Sequence, residues 1–174
     1  MARPRWVLWL LILTLGAAGS TAALASGASA QATQGACSLL SAQAIEKVIR
    51  ESVQDGAPSE YAPTSCEYPL KPTTDLKRAF FVSLDPTAQC STTMFKGRTA
   101  IKVGRRPGIY DVTTRQSTPK TEIHSPSLSV TVGTGCVSVS WDLAPGPLPT
   151  GGRATAVRKQ LTRLEALAIS HLGR

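Results

Sequence analysis

A chain of 174 residues, 42% apolar and 17% charged, is sized for one domain and is neither a disordered tail nor a coiled coil. Its 14 Gly and 12 Pro favour a turn-rich fold with strands. A net charge of +8 directs the search for partners toward anions, and the lack of any Asn removes N-glycosylation acceptors.

Residues 1–30 have the three parts of a secretory signal. Arg3 and Arg5 form the positive end, Trp6 to Leu15 the apolar run, and Ala28-Ser29-Ala30 the small-residue cleavage site. The apolar run is half the length of a membrane span and is followed by Gly19, Ser20 and Thr21, so cleavage after Ala30 is expected and no stable span remains. Cys37 follows Gln34-Gly35-Ala36, which is not a lipid-attachment sequence. The mature chain, roughly 144 residues and about +6, is expected to be secreted or held in the periplasm or cell wall. Residues 31–36 read as a flexible tail and 37–174 as a single domain.

Ser41 is a plausible N-cap for a first helix, with Leu40 and Ile45 placed as a hydrophobic staple. Ile45, Val48, Ile49 and Val53 share one helical face, and Gly56 and Pro58 end it. Ser65 to Tyr68 reads as a strand near an edge, because Pro69 and Pro72 follow. Ala79 to Leu84 is a strong strand with Phe80, Val82 and Leu84 on one side. Thr87 to Gly97 is ambiguous between helix and loop. Thr99 to Val103 reads as a strand, Arg105 to Gly108 as a turn, Ile109 to Arg115 as a strand and Gln116 to Pro126 as a polar loop. Leu128, Val130 and Val132 alternate with hydroxyl residues, as do Val137, Val139 and Trp141. Joined by Gly133-Thr134-Gly135, they form a β-hairpin with one apolar and one hydroxyl face. A Pro/Gly linker leads to a closing helix, about Ala154 to Leu172, with a stripe of Val157, Leu161, Leu164 and Ala168. Short consecutive strands without crossovers predict an α+β fold: one antiparallel sheet with the N- and C-terminal helices on one face.

Four cysteines remain after cleavage: Cys37, Cys66, Cys90 and Cys136. An even count in an exported chain reads as two disulfides, and no C-x-x-C spacing supports zinc or redox chemistry. Three pairings are open on this count.

No catalytic constellation stands out. His124 lies in the stretch read as loop, and His171 is near the C-terminus. Ser117-Thr118-Pro119-Lys120 matches a Ser-x-x-Lys nucleophile motif, but that chemistry needs a helical turn and Pro119 sits badly in one. No enzyme activity, metal or cofactor is expected. Lys96, Arg98, Lys102, Arg105 and Arg106 crowd one stretch with no acid among them, either a solvated surface or a docking patch for an anionic envelope polymer, lipid headgroup or acidic protein. Nucleic acid is not an expected partner, since aromatic residues are only 5%. Phe80 and Trp141 read as core, whereas Phe81, Ser138 and Ser140 fall on the other sheet face.

Cys37-Ser38-Leu39-Leu40-Ser41, a helix and then Cys66-Glu67-Tyr68 resemble a family of actinobacterial exported proteins and lipoproteins of unknown function. Gly108 to Asp111, the hairpin and the Ala/Leu-rich closing helix are similar in layout. The layout also resembles extracellular sensor domains of mycobacterial receptor kinases. There is no lipobox, and Ala44 stands where a capping-box Glu belongs. The resemblance implies pairing of the first two cysteines, which supports Cys37–Cys66 with Cys90–Cys136. It also implies an exported accessory or binding domain with an unknown envelope ligand or protein partner. The alternatives are a secreted inhibitor acting through a loop such as Arg105 to Gly108, and a small hydrolase with no site visible in sequence.

Overall fold

The computed structural model describes residues 35–72, 76–91, 97–118 and 121–172. Residues 1–34, which include the leader expected to be a signal sequence and the start of the expected tail, lie outside these, as does Lys96. Residues 35 and 36, expected to belong to the flexible tail, are instead part of a helical stretch over residues 35–39, and Ala36 is fully buried.

Helix α1 (Ala42–Ile49) starts at Ser41, whose Oγ accepts the Ala44 N–H at 3.2 Å. It stops a turn short of the expected end. Arg50 turns left-handed (φ 63°) and returns its N–H to the Glu46 carbonyl, closing the helix without a glycine. Val53 leaves the helical face and bridges Leu70 instead, although it stays buried. Gly56 has a different duty from helix termination. Its Cα lies against the Tyr68 ring and the Cys66 sulfur, leaving no room for a side chain.

Seven strands follow: β1 (Ala57–Pro58), β2 (Ser65–Pro69), β3 (Ala79–Asp85), β4 (Thr99–Val103), β5 (Arg106–Thr118), β6 (Thr121–Val132) and β7 (Gly135–Trp141). They form one fully antiparallel sheet in the order β1-β2-β3-β7-β6-β5-β4. Only the two residues of β1 lie outside β2, so β2 is close to the expected edge position.

Two stretches read as irregular are strand. The β4–β5 turn is Gly104-Arg105, with Val103 paired to Arg106. Gly104 has φ 61°, the glycine-first arrangement of a type II′ hairpin. Pro107 and Gly108 therefore belong to β5. Pro107 is tolerated because pairing with β6 begins only at Gly108, so its missing N–H interrupts no ladder. Likewise, 116–118 and 121–126 extend β5 and β6. Pro126 faces the β7 side one residue outside the β6–β7 ladder, which starts at Ser127 opposite Ser140. Proline signalled a loop at both places, but it marks where a neighbouring strand stops.

Helix α2 (Gly151–His171) begins three residues before the expected start, with Thr150 as its N-cap. Its buried stripe holds Val157, Leu161, Leu164 and Ala168 as expected, and also Glu165. Both helices press on one sheet face, made by Tyr68, Phe80, Val82, Leu128, Val130, Val137, Val139 and Trp141. Gln160 Nε2 donates to the Val48 carbonyl at 3.0 Å and ties the helices together. The His171 ring nitrogen Nδ1 meets the Leu39 carbonyl at 2.7 Å.

The two disulfides are Cys37–Cys66 and Cys90–Cys136, with Cα separations of 4.9 and 4.8 Å. The first joins the chain entering α1 to β2. Beside it the Tyr68 hydroxyl donates to the Leu40 carbonyl, and burial pushes its pKa up to about 12. The second holds the segment after β3 against the far face, where Cys136 pairs with Asp85 and lies in line with Ser138 and Ser140. On that face the Asp85 carboxylate accepts the Thr87 N–H and hydroxyl and the Ala88 N–H. The Thr87 bonds lower its pKa first, and the Ala88 bond adds to them.

Candidate functional site

Charged residues gather in two places. The first lies where β3 begins and β7 ends. Arg78, with 3% of its side chain exposed, donates from Nε and Nη2 to the Asp142 carbonyl at 3.0 and 2.9 Å. Its Nη2 also meets Glu51 Oε2 at 2.7 Å. The buried Asp142 carboxylate accepts the Ser125 hydroxyl at 2.6 Å, Arg115 Nη2 at 2.7 Å and the Ala79 N–H at 3.3 Å. Every charge here has an opposite charge or a hydrogen bond from a different element. The cluster joins the chain after α1 to β3, β7 and the extended β5–β6 hairpin. Sequence reading missed it, because Glu51, Arg78, Arg115 and Asp142 are far apart along the chain and only the sheet order brings them together.

The second place is the corner where β4, the last strand of the sheet, runs beside α2. Thr155, Arg158, Lys159 and Thr162 follow i, i+3, i+4, i+7 spacing and form one stripe on the helix. With Ile101 and Lys102 of β4 they line an open groove of about 290 Å³. Its floor is largely apolar: Ile101, threonine methyls and the aliphatic stems of the basic residues. Arg158 is fixed by Tyr110 of β5, with its guanidinium carbon 4.8 Å from the ring centroid. Burial pushes the Tyr110 pKa up, and the Arg158 charge partly opposes that rise. The Arg158 Nε is buried without a hydrogen-bond partner.

The basic stretch seen in sequence is divided by this geometry. Lys102 lines the groove, and Arg105 and Arg106 are exposed at the adjoining turn. Arg98 meets the Asp111 carboxylate at 3.0 Å, so a β5 acid distant in sequence sits on one of the five cations. Arg158 and Lys159 join the patch from α2. Nothing in the sequence marked them as neighbours of β4.

The other residues singled out in the sequence lie elsewhere in the fold. His124 is buried in β6, not in a solvated loop, with Nδ1 2.9 Å from Thr114 Oγ1 and Nε2 3.7 Å from Glu122 Oε2. Ser117 is in β5, without the helical turn a Ser-x-x-Lys nucleophile requires, and Pro119 and Lys120 lie outside the described residues. Among the described residues, no three His, Cys, Asp or Glu side chains group to hold a metal. Nor is any helix among them long and apolar enough to cross a membrane. Phe81 is half-buried on the far sheet face, in a row with Glu67, Ser140, Ser127 and Asp111. Nearby, Ser65–Ser83 and Ser138–Ser129 bond to one another at 2.6 and 2.7 Å. Comparison with protein-family models, curated proteins and solved structures finds no match to the chain.

Proposed function

We propose that this chain is an exported, non-enzymatic binding domain of the bacterial cell envelope, and that its ligand is anionic and docks at the β4–α2 corner. The observation that carries the reading is the groove itself. Arg158 and Lys159 stand over an apolar floor that includes Ile101, Lys102 lines its β4 edge, Arg105 and Arg106 extend the positive field, and no acid lines it. A concave apolar surface with a few fixed polar groups is the common form of a ligand site. Cations left without counter-charges raise the local concentration of anions. The two disulfides suit an oxidising compartment outside the cytoplasm. The signal-like leader and the resemblance to exported actinobacterial proteins support the envelope as the place of action.

The test is calorimetric titration of the mature chain with polyglutamate, inorganic polyphosphate and phosphatidylglycerol vesicles at low and physiological salt. At least one anion should bind, more weakly as salt rises, and the double variant Lys102→Glu/Lys159→Glu should lose roughly tenfold or more in affinity. Unchanged binding by the double variant would move the site elsewhere.

A further inference from the structure

The groove has an asymmetry that the cations alone do not explain: one wall is the unpaired edge of a sheet. A two-residue hairpin closes on a hydrogen-bonded pair, so Val103 and Arg106 exchange backbone bonds across Gly104-Arg105. Alternation then sends the backbone groups of Ile101 and Thr99 toward β5 and those of Lys102 and Ala100 outward. Pro107 stands opposite Lys102, at a position that needs no bond to β4. Among the described residues, no strand lies beyond β4. Its outer edge therefore presents the N–H and C=O groups of Ala100 and Lys102 beside the α2 stripe.

Resting on the anionic reading above, we propose that this edge takes an acidic, extended polypeptide segment as an added strand. Its backbone pairs with Ala100 and Lys102, and its carboxylates face Arg158 and Lys159. Strand addition draws affinity from main-chain bonds and selectivity from alternate side chains. Here the side chains pointing toward α2 meet two cations over Ile101 and the Thr155 and Thr162 methyls, which suits carboxylates on alternate positions. The chain does not supply this segment from its own N-terminus, because residues 1–34 contain no Asp or Glu. A second copy is disfavoured as well, since each mature copy carries about +6 and would bring cations to cations. The occupant is a foreign acidic chain.

The probe is a short synthetic peptide alternating Glu and Val, compared with the same peptide N-methylated at alternate backbone positions. N-methylation keeps the charge and removes strand pairing. Both are titrated into the mature protein alongside polyphosphate and phosphatidylglycerol vesicles, with amide hydrogen exchange followed at Ala100 and Lys102. The proposal predicts that the plain peptide binds and slows exchange at both amides, and that the methylated peptide binds roughly tenfold or more weakly. Equal binding of the two peptides overturns strand addition while leaving the anionic site in place. Binding of polyphosphate or vesicles but of neither peptide overturns the polypeptide class while again leaving the anionic reading. Failure of every anion to bind removes both.

Discussion

The two charged regions have opposite constructions. Around Arg78 and Asp142, four charges from four segments are paired, and Arg78 and Asp142 are buried and hydrogen-bonded to backbone. At the β4–α2 corner, Lys102, Arg158 and Lys159 stand near one another, and among the described residues no acid pairs with them. The first region ties four segments of the fold together, and each of its charges is matched by an opposite one. The second holds Arg158 on the Tyr110 ring and leaves its cations without an acid partner among the described residues. What separates the two regions is the balance of their charges, not their number.

The comparison is most severely tested at Arg78. Arg78→Ala strips the Asp142 carbonyl and Glu51 of a buried donor and should cost about 3–5 kcal/mol in denaturant unfolding. A loss under about 1 kcal/mol would mean that the cluster is not structural.

Glu165 belongs to neither region and has a pH signature of its own. It is fully buried in α2, neither carboxylate oxygen has a hydrogen-bond partner, and burial raises its pKa well above the ordinary value. The folded chain therefore holds the proton more tightly than the unfolded chain, whose glutamates titrate near about 4.3. The stability linked to this proton is fully present below the unfolded value and is lost as pH rises through the folded one. Thermal unfolding followed over pH should show that decline, and Glu165→Leu should flatten it and stabilise the protein at the alkaline end. An unchanged slope in the variant would assign the decline to another group.

The smallest expected effect on folding is at the corner. Lys102→Glu/Lys159→Glu should leave unfolding stability within about 0.5 kcal/mol, as for other exposed substitutions. The same variant should lose anion binding, so stability and binding separate at this corner and nowhere near Arg78.

Much of the fold was legible because it is written in local periods. The alternation of Leu128 to Trp141 gave the central hairpin, and the stripe from Val157 to Ala168 gave the closing helix. The cysteine pairing came from the resemblance together with an even count. What misled was punctuation whose meaning depends on neighbours: Pro107 and Pro126 look like loop residues until the adjoining strands are seen to end beside them. The end of α1 was misplaced because Arg50, not Gly56, takes the left-handed conformation. Of the candidate site, Lys102, Arg105 and Arg106 were visible as a cationic run. The α2 half of the groove was not, because the register of a helix on a sheet edge has no local signal. Glu165 was hidden for a related reason: at its place on the helix, charge suggested solvent and packing put it in the core.

The central claim is that the β4–α2 corner is where the protein meets its ligand. Residue-resolved NMR of the mature chain titrated with polyglutamate tests it most directly. The account predicts shifts concentrated at Ala100 to Arg106 and Thr155 to Thr162, with the Arg78–Asp142 region unmoved. Shifts centred on the hydroxyl face around Phe81, or on no single surface, would contradict it.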